Sequence, residues 1–270
     1  MGHMKPWTYV IMALTVVLVC PISSAAEEKN DETSEEKSEV DVPSHVLTIS
    51  KENTHPNVIE EQKVVEPSSL TKELIEDSDV TITNPDLIKM VNETSINPSP
   101  LAFGYRGMVY IGRWPLHYKS TDTTMNWEYQ PINTNELNNL SGDSEKTLHY
   151  NQKEQKKVNG ALTNKIANPH DIKKMMLLKA KEKVELPLAF STVIGQNTKK
   201  DDPYRVPSKK LGKLQAYAPA VSEKGQVTFG EVYVQLKGHD KSIVVKNVTK
   251  QDIGAWVPVQ DYISLSFQLQ

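Results

Sequence analysis

Cysteine is almost absent from this chain: Cys20 is the single one in 270 residues, so no intrachain disulfide can form. Thiolate zinc sites and paired redox motifs are excluded by the same count. Long apolar runs are missing too. The stretch from Tyr9 to Cys20, bounded by Thr8 and Pro21, is shorter than the roughly 18 residues a spanning helix needs. With Lys5 before it and the small residues Ser23, Ser24, Ala25 and Ala26 after it, it reads as a secretory signal peptide over residues 1–26, cleaved after Ala26. An exported, extracytoplasmic location in the envelope or medium follows as the expectation, with no transmembrane span after cleavage. No cysteine then remains in the mature chain, which removes thiol catalysis, and stability has to come from a packed core.

Catalytic signatures are also lacking. The sequence contains no G-x-S-x-G, H-E-x-x-H, phosphate-binding loop or G-x-G-x-x-G. Gly104, Gly107 and Gly112 stand among alternating aromatic and apolar residues, a strand pattern rather than a phosphate cradle. His45, His55, His117, His149, His170 and His239 include no pair at metal-ligand spacing; His117 and His149 are the two that strands could bring together. The Asn/Asp-rich stretch 133–145 fails the calcium-loop pattern and reads as a polar surface loop. No cofactor and no metal site is expected.

What is present divides the chain by charge. Residues 27–98 hold 18 acids and 6 lysines, a net −12, while residues 99–270 hold 16 acids and 24 Lys+Arg, a net +8. The overall −3 therefore hides an acidic arm and a basic body. Residues 27–66 begin with an acidic run carrying nothing to bury and read as a mostly disordered spacer, although Ser44–Ser50 has the makings of an edge strand. Residues 67–98 read as a short helical segment. Ser68 or Ser69 serves as one cap, and Asn84-Pro85-Asp86 supplies cap, first-turn proline and acid for a second helix. Asn97-Pro98-Ser99-Pro100 then closes the segment.

Residues 99–270 carry the period-2 patterning of strands. Ile263, Leu265, Phe267 and Leu269 alternate with polar residues; further strands are read at 107–114, 127–132, 146–150, 186–194, 214–221, 226–237 and 242–248. Ser222-Glu223-Lys224-Gly225 and Gly238–Lys241 look like turns joining the last three into a meander. Val227 and Phe229 lie on one phase and Val232, Val234 and Leu236 on the other, which places a bulge at Gly230. One helix interrupts, at about 169–184, with Ile172, Met176, Ala180 and Val184 on one face. The fold class is a β-rich α+β domain, an antiparallel sheet or sandwich with one packed helix and short N-terminal helices.

Lys173, Lys174, Lys209, Lys210 and Lys213 are the candidate anion-binding residues. Outside a membrane the polyanions to meet are phosphate-rich wall polymers and phospholipid headgroups, whereas nucleic acid does not suit an exported chain. A non-catalytic envelope module binding such a component is the expected class. Its alternatives are a wall-glycan hydrolase, for which Glu128 between Trp127 and Tyr129 is the acid to inspect, and an accessory protein binding another envelope protein through sheet edges.

The run Leu101–Tyr118 (LAFGYRGMVYIGRWPLHY), with Lys173–Leu178, Leu186–Val193 and Gly254–Asp261, resembles the YfkD-like family of exported proteins from bacilli. The resemblance covers the body and the Ser44–Ser99 region. It implies a signal peptide, a Gram-positive envelope location and a single family domain, and it carries no activity or functional residue.

Overall fold

The computed structural model describes residues 40–58, 66–99, 101 and 104–270. The signal segment and the acidic run to residue 39 lie outside them. Three very long strands set the architecture: β2 (Arg106–Asn138), β8 (Leu211–Lys237) and β9 (Asp240–Pro258). β8 is central. Along its whole length one edge pairs antiparallel with β2; the other edge pairs first with β10 (Tyr262–Leu269), over Gly212–Tyr217, and then with β9, over Ala220–Lys237. β1 (Val46–Thr48) adds to β10, and the two-residue β5 (Ala161–Leu162) adds to β9. Two small antiparallel pairs stand beside this sheet, β3 (Lys146–Asn151) with β7 (Lys199–Val206), and β4 (Lys156–Asn159) with β6 (Ser191–Ile194).

Proline positions explain where this sheet tolerates breaks. Proline has no N–H to give a ladder, so it belongs on edges or at irregularities. Pro115 and Pro131 lie in β2, which pairs with β8 alone. Pro219 lies in the central strand at the one place where it does no harm. β10 has ended opposite Tyr217, β9 begins opposite Ala220, and the β2 register jumps from Asn126 to Gln130. The Pro219 carbonyl still accepts from Val259 N–H at 3.0 Å.

The buried phase of β8 switches twice, and each segment has its own covering layer. Leu214 and Ala216 pack with Leu148, Tyr150 and Val206 of the β3–β7 pair. Val221, Val227 and Phe229 pack under α3 (Pro169–Lys183) with Ile172, Met175, Met176 and Ala180. Val232 packs with Leu74, Leu87 and Val91 of α1 (Ser69–Glu76) and α2 (Pro85–Glu93). The second switch falls at Gly230, where the apolar alternation places a bulge; β8 itself runs through regularly against β2, and the extra residue lies on β9, where Asn247 and Val248 both fall between the partners of Phe229 and Glu231. The helix starts are as read. Ser68 accepts from Thr71 N–H and Asn84 from the N–H groups of Asp86 and Leu87, satisfying donors that a helix cannot satisfy internally.

Three more expectations give way. Ser222–Gly225 is not a turn, so the two strands read on either side of it are one; with that the meander reduces to the β8–β9 hairpin, and β10 sits beside β8. Strand geometry survives four turn-like residues because ladders on both edges satisfy their backbone groups. Asn133–Asn138 belongs to β2 rather than to a loop, paired opposite Leu211–Ala216. Of the strand read over 186–194, only Ser191–Ile194 forms, with one isolated bridge from Leu188 to Val259. The edge strand foreseen at Ser44–Ser50 forms as β1, and Ile49 behind it is fully buried. Packing therefore begins earlier than the boundary near residue 66.

Gly225 shows how tightly the central strand is approached. A Cβ there would meet the Lys119 carbonyl oxygen and lie 2.6 Å from the Tyr118 hydroxyl oxygen. Gly225→Ala is expected to cost about 1–3 kcal/mol, as overpacking does, read as a lower urea midpoint; an unchanged midpoint would show that Tyr118 yields freely.

Candidate functional site

The sequence-read lysines fall at two separate places. Lys209 and Lys210 occupy the β7–β8 turn and Lys213 the start of β8. Lys209, with φ of 63°, lies 3.6 Å from Asp143. Lys173 and Lys174 lie on α3, which covers β8 from Val221 onward. Nine strand residues at about 3.3 Å each put these two places on the order of 30 Å apart along β8.

Glu128 is exposed at the crest of the bulge opposite Pro219, and its own N–H is held by the Asn126 side chain at 3.0 Å. Its neighbour Tyr129 stacks on Trp256 with ring centroids 5.2 Å apart. His149 bonds the Asp201 carbonyl from an exposed strand, while His117 faces Thr83 at 3.1 Å. The structure thus gives the two histidines different partners. Among the described residues no group of three or more His, Cys, Asp or Glu is arranged to hold a metal ion.

The two α3 lysines have opposite surroundings. Lys174 is tied to Asp86 of α2, with Nζ 2.8 and 2.7 Å from the two carboxylate oxygens. Beside this pair Asn84 donates to Asp171 at 3.4 Å and to the Pro115 carbonyl at 2.7 Å. Burial first, with Asp86 adding to it, raises the Asp171 carboxyl above its ordinary value, against the pull of Asn84 and Lys174. These contacts join the starts of α2 and α3. Lys173 instead points over the face of Phe190, its ammonium 5.2 Å from the ring centroid, and among the described residues no carboxylate pairs with it.

Lys173 and Phe190 belong to the wall of a cleft of about 400 Å³ between α3, the stretch Leu188–Val193 and the end of the N-terminal arm at Pro56–Val58. Leu177 and Leu188 form its buried floor and His170 stands on its exposed rim. The arm is fixed there by asparagine side chains that imitate a neighbouring strand. Asn57 accepts from Val193 N–H and donates to the Val193 carbonyl and to Asp261; Asn53 accepts from Gly195 N–H. The volume suits a small ligand, and the lining suits an apolar group carrying an anion. A more open hollow of about 660 Å³ surrounds Gly225 and Gly254, but two of its polar groups are already engaged, Lys224 with Asp122 and Gln226 with Asp252.

One buried ionisable cluster escaped the sequence reading. Glu223, fully buried in β8, accepts from the Tyr118 hydroxyl at 2.8 Å and the Thr123 hydroxyl at 2.5 Å. Lys183 of α3 donates to Ser120 nearby at 3.0 Å. Burial, then the neighbouring Glu223, pushes the Tyr118 phenol far above its ordinary value. The signal was the alternation Val221, Glu223, Gly225, Val227, which continues one strand phase across the presumed turn. Each hydroxyl takes a lone pair that burial strips of water, so the cluster locks β2 to β8 beneath α3.

On this architecture the protein is a β-rich α+β protein built on a long antiparallel sheet with a helix-walled cleft. It belongs to the YfkD-like protein family, whose match spans residues 43–270. A relative from Bacillus subtilis strain 168, named uncharacterized protein YfkD, is 53% identical over 233 residues, covering 86% of this chain and 88% of that one. Among solved structures, that of the lamprey immune protein aligns over 60% of this chain and 53% of its own at 9% identity and a TM-score of 0.24.

Two outcomes test this geometry. Tyr118→Phe removes one of the two donors to a buried carboxylate and is expected to lower unfolding free energy by about 1–3 kcal/mol; a loss below a few tenths would mean that Glu223 is not held as described. His117 is held below its ordinary 6.5 by burial and then by Lys179 and Lys119. From 6.5 down to its folded value the unfolded chain binds more protons, so stability should rise with pH across that window and fall on acidification. The slope of urea midpoint against pH below 6.5 should be shallower in His117→Gln; an identical slope refutes the assignment.

Proposed function

We propose that this protein is an exported, non-catalytic module of the cell envelope that binds a phosphate-bearing anion through the cleft between α3 and β6. The observation that carries the reading is Lys173, held over Phe190 at the wall of an apolar-floored cleft with no carboxylate partner among the described residues. A half-buried ammonium in such a place gains from an incoming anion, because the lower dielectric strengthens the pair. Phosphodiesters of wall polymers and of lipid headgroups offer that charge, and the buried Leu177 and Leu188 favour a ligand with an apolar portion beside it. Lys174 contributes through structure, since Asp86 already occupies it. The leader-like segment ahead of the acidic arm and the basic balance of residues 99–270 support an envelope setting.

Co-sedimentation with Gram-positive walls, intact or stripped of anionic polymer, and with phosphatidylglycerol vesicles separates the two phosphate sources. Binding should weaken as salt rises. Lys173→Gln should weaken it about tenfold, the loss of one charge-assisted contact. Undiminished binding by Lys173→Gln in every arm would overturn the cleft as the site.

A further inference from the structure

At the level of α3 the long sheet has two unlike sides. Ile253, Ala255 and Val257 of β9 are buried with Val221 and Val227 beneath the helix. Side chains alternate along a strand, so Asp252, Gly254 and Trp256 face the other side, where register sets them opposite Gln226, Lys224 and Ser222 of β8. On β2, Lys119 lies opposite Gln226 and Asp122 opposite Lys224. This is the side that carries the hollow of about 660 Å³.

Three features give that hollow the build of a site. Its outer wall is fixed: Thr163 N–H donates to the Gly254 carbonyl at 2.8 Å and Gly254 N–H donates to the Thr163 hydroxyl at 3.0 Å, which holds Thr163 and Asn164 along the edge of β9. Its floor groups orient one another. Gln226 donates from Nε2 to Asp252 Oδ1 at 2.9 Å, and Lys224 lies 3.3 Å from Asp122. The first pair keeps one amide hydrogen, Gln226 Oε1 and Asp252 Oδ2 for a ligand. An aromatic stack closes one end of the strip: Trp256 lies about 13 Å along β9 from Asp252, and Tyr129, carried out by the bulge opposite Pro219, stacks on it with centroids 5.2 Å apart and planes at 24°. Both rings are half-buried. Gly254 stands between the stack and Asp252, with no side chain to interrupt the strip.

Both signs of charge meet here. Lys119, Lys224 and Asp252 line the hollow, Asp122 holds Lys224, and Lys165 and Lys250 stand at its margin. An anion reaching the floor meets the Asp252 carboxylate and a cation meets Lys119, whereas a hydroxyl, which both donates and accepts, suits either.

We infer that this side of the sheet binds an uncharged saccharide chain, one ring lying against the Tyr129–Trp256 stack and a following one bringing its hydroxyls to the Gln226–Asp252 pair. The C–H bonds on a sugar face carry the partial positive charge that the face of an aromatic ring attracts. The hydroxyls meet polar groups that are already oriented, so little further ordering is lost on binding. The site lies across the sheet from the α3 cleft and rests on different residues.

The test is calorimetric titration of the full chain with tetrasaccharides of glucose, galactose, mannose and N-acetylglucosamine at millimolar concentration. At least one should bind, with an affinity unchanged by added salt, because the ligand carries no charge, and unchanged by Lys173→Gln. Gln226→Ala combined with Asp252→Ala should weaken that binding about tenfold or more, the loss of two hydrogen bonds. Trp256→Ala should weaken it as well, and Trp256→Phe should keep most of it. Where Trp256→Ala fails to fold, the variant at Gln226 and Asp252 decides, since neither residue belongs to a core cluster. Failure of all four sugars to bind overturns the inference. Binding that the double variant leaves intact overturns it too, as does binding lost with salt or with Lys173→Gln, which would belong to the α3 cleft.

Discussion

Everything else in the structure depends on β8 being paired on both edges over nearly its whole length. A strand of 27 residues exposes a donor and an acceptor at each non-proline position, and water cannot reach the positions beneath the helices. β2 serves one edge continuously, and β10 and β9 share the other in succession. The one gap in that succession falls at Pro219, which has no N–H to satisfy. With the ladders secured, side-chain choice on β8 is free to follow what covers it. That is why a carboxylate, Glu223, can stand in the same phase as Val221 and Val227, provided Tyr118 and Thr123 reach it.

Local patterns made much of the fold legible. Caps at Ser68 and Asn84 act within three residues, so their sequence signature survives any tertiary setting. The change of buried phase at Gly230 was readable for the same reason, since it needs no knowledge of the neighbour, but the extra residue expected there lies instead on β9, at Asn247–Val248. The reading over Ser222–Gly225 failed where composition was asked to stand for environment. Ser, Glu, Lys and Gly favour turns when nothing else claims their backbone, but here two strands do. The continuous alternation through Glu223 and Gly225 was the better guide. The start of α3 was also placed correctly, although Asn168 adopts φ of 50° and makes no side-chain cap bond, so proline at the first helical position and Asp171 in the first turn carried that signal.

The site was less legible because its geometry is non-local. Basic residues on α3 are visible in the sequence, yet nothing there says that Phe190 swings beneath Lys173 or that Asp86, 88 positions away, captures Lys174. The cleft wall formed by Pro56–Val58 was hidden for a similar reason. Its anchorage comes from Asn53 and Asn57 side chains bonding β6 as a strand would, and such mimicry has no periodic signature.

The contrast between Lys173 and Lys174 bears on how the basic character of residues 99–270 should be understood. Two adjacent lysines on one helix differ by about 100° in direction, and that rotation decides which partner each one meets. Lys174 meets a carboxylate with both oxygens in range, so its charge is compensated and its stem is committed to joining α2 to α3. Lys173 meets the face of an aromatic ring, which attracts a cation without neutralising it. A ring held beneath an ammonium therefore leaves net charge at the wall of the cleft. Counting lysines across the body overstates the binding surface, because an exposed cation such as Lys209 at the β7–β8 turn is screened by solvent. Among the lysines weighed for anion binding, Lys173 differs from Lys174 and Lys209 in facing an aromatic ring rather than a carboxylate, and the function proposed above rests on that difference.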